Sequence, residues 1–557
     1  MTATAAEPAP DRTGAPRRPR SDSTPAGRTL AGTAALLRFA LRRDRLRLSA
    51  WVLGLGLATL AAANSVHTVY PTAADRAAIA HGSGSPALLA MSGPAHYLAD
   101  YTWGAMLGHR MLGLLAVLAG LLSILTVTRH TRAEEESGRA ELLRSAAVGR
   151  HAPLAAALAT AAVADLALGL LLAAGLPALG IPGLGAAGAA LFGAATALAG
   201  LLFAAVAAVT VQLSAHARTA SGLALTALGA AYALRAAGDA GSGTLSWASP
   251  IGWLQRGYPF VDDRWWPLLP ALALTAATGA AGFALSSRRD HGSGLRAARP
   301  GPATGSPALG TPLGLALRLH RGLLGGFAAA LLVVGAMYGS LLGEADSMLG
   351  DVDRIREALE RLGGHTLADS YAALTMLVVA VVGGVHAVLA TLRPRAEESA
   401  GRAVPVLATG VSRSAWLGGH LAAALLGSTA VLLAAGVGFG LAGALSSGDG
   451  GAFLRLTGAA LAFAPAQWVT VGFAAAVYGW LPRATPLAWL MPGYAFVIGY
   501  LGPLLDLPKG LERLSPYGQV PRLPAAPMDW TPLALLTLVA AALIALALAG
   551  FRRRDVD

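Results

Sequence analysis

The chain has 557 residues, 55% of them hydrophobic and 13% charged, with a mean hydropathy of +0.57. Ordinary soluble domains carry about 25% charged residues, so the composition excludes a typical water-soluble enzyme and points to a polytopic membrane protein. The net charge is +12 and cysteine is absent, which excludes disulfides, thiolate nucleophiles and cysteine-ligated metal. No stretch interleaves arginine with aromatic residues in a soluble domain, so the positive excess is assigned to basic cytoplasmic loops rather than to nucleic-acid binding.

Residues 1–30 are rich in Pro, Ser, Thr and Arg and read as a disordered cytoplasmic tail. Apolar runs long enough to span a bilayer follow at about 49–69, 105–128, 152–176, 184–213, 219–236 and 266–287. After a gap come about 322–341, 371–392, 415–441, 453–480, 485–505 and 530–550. The expected fold is therefore all-α and polytopic, with about twelve transmembrane helices in two parallel six-helix halves. The halves cover 31–290 and 310–555, joined by a cytoplasmic linker at 291–309. The run through Arg47 holds ten arginines and the C-terminus reads FRRRDVD, so both termini are placed in the cytoplasm of a plasma-membrane protein. Acid falls in the loops this topology puts outside, at Asp262 and Asp263 and between Glu344 and Glu360. Asp262 and Asp263 lack a histidine and read as a solvated turn, not a metal site.

Four landmarks recur in order. Gly-Thr precedes an arginine-studded leucine stretch at 32–47 and 310–321; on the first, Leu36, Leu37, Ala40 and Leu41 share a face, as an amphipathic helix on the inner leaflet requires. A charged segment, TRAEEESGRAELLRSAAVGR at 131–150, returns as RPRAEESAGRAVPVLATGVSR at 393–413. SPIGW (249–253) and SPYGQ (515–519) precede the last span of each half, and GFALSSRRD and GFRRRD close them. Topology explains repeated arginine, but not repeated paired glutamates. Glu135–Arg139 and Glu398–Arg402 are spaced i,i+4, worth only about 0.2–0.5 kcal/mol each on a helix. The repetition therefore points to an element that docks a partner.

With these landmarks the chain resembles the permease of an ABC-2-type exporter, and in particular the fused actinobacterial polyketide-antibiotic or multidrug export permeases. The resemblance covers about 31–555. It implies connecting helices at about 34–47 and 312–321. It implies elements that couple to an ATPase subunit, built on Glu134, Glu135, Gly138, Arg139 and on Glu397, Glu398, Gly401, Arg402. Outer hairpins would hold Ser249, Pro250, Gly252 and Ser515, Pro516, Gly518. Pro405 departs from the first copy, so the second coupling element is expected to be shorter or to start at 404–405.

No Walker A pattern occurs, and the only lysine is Lys509. The chain is read as a permease, not an enzyme, with no cofactor of its own. ATP and Mg belong to two copies of a cytoplasmic ABC ATPase, and the cargo is a lipophilic small molecule taken from the membrane lipid or cytoplasm and exported. Polar residues in or near spans mark a candidate substrate path: His109, Arg110, Asp165, Gln212, Gln467, Trp468, Tyr478 and Tyr494. Three other classes compete with this reading. A proton-coupled facilitator would need an embedded acid in an early span, where only Asp165 in the third offers one. A membrane transferase would need a large acidic outer loop, and a scaffold would have no use for the repeated charged element.

Overall fold

The computed structural model describes residues 29–144, 148–290, 292–296, 304–344, 367–501 and 509–554. The tail before Thr29, most of the acidic segment around Asp351 and part of the 291–309 linker lie outside the described residues. The protein is an all-α polytopic membrane protein. Ten helices among the described residues are long and apolar enough to cross a bilayer.

The remaining two expected spans, the fifth of each set of six, have different physical outcomes. Ala217–Ala240 is one continuous helix that runs past 236, where the expected span ends, and takes in Arg235. Arg235 is fully buried. Its guanidinium donates to the carbonyls of Ala90 (3.0 Å) and Met91 (3.4 Å) and lies 3.6 Å from Asp239, so the charge is met inside the fold. In the second set Pro482, Pro486 and Pro492 remove backbone donors, and the segment breaks into short helical pieces at Pro482–Trp489, Leu490–Phe496 and Val497–Leu501, while 502–505 of the expected span lie outside the described residues.

The amphipathic stretches expected ahead of the first span of each set are not separate helices. They are the first turns of Thr33–Val69 and of Pro312–Gly339. Nothing in RLRLSAWVLG breaks the helix, and 37 residues reach about 55 Å, beyond the roughly 30 Å hydrocarbon core. Thr311 caps the second of these helices by accepting from Gly314 N at 3.1 Å, with Pro312 in the first turn, where its missing N–H costs nothing.

The two sets pack alike. In each, the first helix lies along the third, the third along the fourth, the second along the fourth, and the fourth along the sixth. In lipid no hydrophobic drive separates helix from solvent, so close backbone contact between small residues supplies the attraction. The first–third contact of the second set shows it most directly. A Cβ on Gly335 would collide with Ala435 O, and one on Gly438 with Leu332 O.

Replacing Gly335 by Leu should overpack this seam and cost about 1–3 kcal/mol, seen as a lower melting temperature in detergent. Gly322→Leu on the same helix, where nothing lies within 4 Å, should leave the melting temperature unchanged.

Candidate functional site

Both charged segments fold as two short helices hinged at a glycine. The first is Arg132–Glu136 followed by Arg139–Arg144, with Gly138 at φ +73. The second is Arg393–Ser399 followed by Ala403–Leu407, with Gly401 at φ +68. A left-handed residue stops an α-helix, and the hinge cancels the expected i,i+4 pairs. Pro405 stands third in its helix, within the first turn, so it breaks nothing. The second helix accordingly begins at Ala403, and both segments keep the same helix–glycine–helix form.

The glutamates turn inward instead. Glu134 accepts from Arg43 of the first helix at 2.7 Å, with exposed Arg139 3.9 Å away. Glu135 takes a two-pronged contact from Arg289, just past the sixth helix, at 3.0 and 2.6 Å, and a third from Arg132 at 2.6 Å. Arg289 Nε also donates to Gln212 Oε1 at the end of the fourth helix. Glu136 accepts from Ala217 N at 3.0 Å. In the second set Glu397 pairs with Arg393 (3.1 Å) and Arg402 (2.6 Å). The Glu397 hydrogen bond holds the Arg402 guanidinium above its ordinary pKa. Glu398 accepts from the Tyr478 hydroxyl at 2.6 Å and from Arg554. Gly138, Arg139, Gly401 and Arg402 are left exposed at the tips.

Asp44 is a site residue that sequence reasoning missed. It is a buried acid flanked along the chain by Arg42, Arg43, Arg45 and Arg47, and it lies 3.0 Å from Arg129 and 3.1 Å from His130. The partnership of Arg289 and Arg554 with the glutamates was also missed, although both arginines sit in the closing landmarks.

The two SP-x-G segments are built alike. A Cβ on Gly252 would collide with Ser246 O, and one on Gly518 with Glu512 O, in each case the carbonyl six residues earlier. Ser249 caps the helix that opens with Pro250 and donates to Ala231 O at 2.6 Å. Ser515 is buried, with no partner for its hydroxyl among the described residues. Pro516 stands just ahead of the short turn Tyr517–Gln519. Asp262 pairs with Arg264 (2.7 Å) and Asp263 accepts from Phe260 N at 2.8 Å, both within the turn, but the expected lack of a histidine is corrected by His96, which the fold brings to 2.8 Å from Asp262.

The substrate-path candidates do not converge on one cavity. His109 is buried, sharing hydrogen bonds with Tyr101 (2.9 Å) and Gly93 O (3.2 Å). Arg110 lies over the Tyr70 ring at 5.8 Å. Burial raises the phenol pKa of nearby Tyr97 and Tyr101, which stay neutral in this cap. Gln212 and Tyr478 sit beside the charged loops. Gln467 donates to Ala380 O at 2.7 Å, Trp468 to Thr429 at 3.0 Å and Tyr494 to Leu511 O at 2.8 Å. Asp165 is fully buried, accepts from Ser123 at 2.7 Å, and has no partner for Oδ1 among the described residues.

The family model described as "Multidrug efflux system permease Rv1217c, C-terminal domain" matches residues 34–285 and 309–552. The multidrug efflux system permease protein Rv1217c of Mycobacterium tuberculosis (strain ATCC 25618 / H37Rv) is 42% identical over 536 residues, covering 95% of this chain and 96% of the relative. The chain belongs to this family of multidrug efflux system permeases.

In a permease, the polar residues that bind cargo must be distinguished from those that brace the frame. Most of the candidates above spend their hydrogen bonds on the frame. Beside each charged loop, however, a cleft stays open. One of about 610 Å³ is lined by His130, Glu135, Arg150, Gln212 and Arg289. One of about 520 Å³ is lined by Arg395, Glu398, Trp480, Arg483 and Arg554.

A Cβ placed on Gly138 or Gly401 would meet nothing within 4 Å, so a substitution there tests backbone strain alone. Gly138→Val should cost about 1–2 kcal/mol locally and speed tryptic cleavage at Arg139, whereas Gly138→Asn should cleave at nearly the parent rate.

Proposed function

We propose that this permease is the membrane part of an ATP-driven exporter that carries lipophilic, drug-like molecules outward across the plasma membrane. Both termini lie in the cytoplasm. Two copies of a cytoplasmic ABC ATPase, which hold the ATP and Mg, dock beneath it, one at each charged loop. The observation that carries this reading is the doubled helix–glycine–helix loop. Each copy has an exposed tip, an inward-facing glutamate pair and a cleft, and each sits where the ends of the fourth and sixth helices meet. Family membership supplies the efflux role, and the relative's description as a multidrug permease supplies the drug class.

Docking falls to the exposed tips, Gly138–Arg139 and Gly401–Arg402, while Glu134, Glu135, Glu397 and Glu398 hold the tips in place. Closure of the ATPase pair moves the tips and re-packs the two sets, giving alternating access. The outer hairpins at Ser249–Gly252 and Ser515–Gly518 cap the exit side. Apolar span walls and surrounding lipid suit a lipophilic cargo.

Arg139→Glu together with Arg402→Glu should leave the protein in the membrane but lower ATP-dependent ethidium efflux by about tenfold, the size of a 1.4 kcal/mol coupling loss. Efflux at the parent rate in this variant would remove the docking role from the tips.

A second reading, proton-coupled export, has one observation in its favour, the buried and half-partnered Asp165. Asp165→Asn should leave efflux intact if ATP drives it. Loss of efflux in that variant, with the parent abolished by collapse of the proton gradient while ATP is held constant, would favour the proton.

A further inference from the structure

We infer that Glu135–Arg289 in the first set and Glu398–Arg554 in the second are matched latches that carry movement of each charged loop into the sixth helix. This inference rests on the ATP-coupled reading above. The two glutamates occupy the same place in the repeated motif, the second Glu of RAEE. The two arginines are equivalent as well, each being the last Arg before Asp in SSRRD and RRRD. Each glutamate thus reaches across more than 150 residues to the landmark that closes its own set, with sequence separations of 154 and 156.

A third partner sits at the same place in both sets. Gln212 ends the fourth helix of the first set and accepts from Arg289 Nε. Tyr478 is near the end of the fourth-position helix of the second set. It donates to Glu398, while the Arg554 guanidinium lies over its ring at 4.6 Å. The side chains differ, an amide in one set and a phenol in the other, yet the construction is the same. Glutamate from the loop, arginine from just past the sixth helix and a polar group from the fourth meet at one point.

The latch is built to transmit force. The four charged side chains are only 10–17% exposed. Charge-assisted contacts of this kind are short and directional, and leaving one partner buried and alone is costly, so the two ends move together. The fourth and sixth helices already pack along their lengths, and the latch clamps the loop to that pair. In the first set Arg132 reinforces it, donating to Glu135, to Val211 O at 3.1 Å and to Ser293 O at 2.6 Å. Arg150 adds a contact to Ser287 O at 2.7 Å. In the second set Arg413 donates to Arg554 O at 2.6 Å. Without the latch, a pull on the loop would reach the bundle chiefly through the second and third helices, to which the loop is covalently joined. With it, the same pull also reaches the sixth.

The test uses the full chain with its ATPase in liposomes, with ethidium as the transported probe. ATP hydrolysis and ethidium moved are measured together. Arg289→Glu and Arg554→Glu, which lie outside the docking loops, should each keep the ATPase bound and hydrolysing. Ethidium moved per ATP should fall by about fivefold, within the range that coupling residues command. The paired reversals, Glu135→Arg with Arg289→Glu and Glu398→Arg with Arg554→Glu, should recover most of that ratio. A role confined to folding would instead lower the yield and melting temperature and leave the ratio unchanged. Glu398→Gln and Arg554→Lys, which keep size and hydrogen-bonding capacity, provide the same comparison if a reversal fails to fold. An intact complex whose transport per ATP is unchanged in all these variants overturns the latch alone. A parent chain that moves ethidium with no ATPase present overturns the coupling reading beneath it.

Discussion

A carboxylate at the edge of a membrane must be neutralised where it stands, and this protein meets that requirement mostly with arginines from distant parts of the chain. Taking an ion out of water costs several kcal/mol unless an opposite charge and good hydrogen bonds replace the hydration. Glu134, Glu135, Glu397, Glu398 and Asp44 are all largely withdrawn from solvent, and each has an arginine within salt-bridge distance. Four of these arginines come from elsewhere, Arg43 in the first helix, Arg129 at the end of the second and Arg289 and Arg554 just past the sixth, while Glu397 is paired within its own loop by Arg393 and Arg402. Pairing therefore fixes where the helix ends lie relative to one another on the charged-loop face.

Away from that face the frame is held by contacts of another kind. The helices meet through glycine and alanine, with backbone atoms brought close enough that a methyl group would collide. Such seams fix the spacing between helices. Ion pairs at the ends fix register. The charged-loop face is thus held by ion pairs and the spans by close backbone contact.

The residues that looked most like a substrate path in the sequence mostly serve the frame. An embedded polar side chain in lipid must find a partner, and the nearest carbonyl or hydroxyl usually provides one. His109, Gln467 and Trp468 follow that rule. Asp165 Oδ1, Gln467 Oε1 and the Ser515 hydroxyl keep no partner among the described residues.

Composition, apolar run length and the ordered landmarks determined that the chain is an all-α membrane protein, where most of its helices lie, and that a charged element is repeated. These are local properties, because a span is written in its own twenty or so residues. Sequence spacing misassigned the partners within that element. It offered Glu135 to Arg139 and Glu398 to Arg402, since an unbroken helix brings residues four apart together. Gly138 and Gly401 break that helix, and only tertiary packing could bring Arg289 and Arg554 to the freed glutamates. The same holds for Arg235, which ends the apolar run in the sequence yet lies inside a longer helix because the carbonyls of Ala90 and Met91 come from another segment to meet it. What depends on neighbours along the chain was legible in the sequence, while what depends on a charge finding its counter-charge across the bundle was decided by the fold.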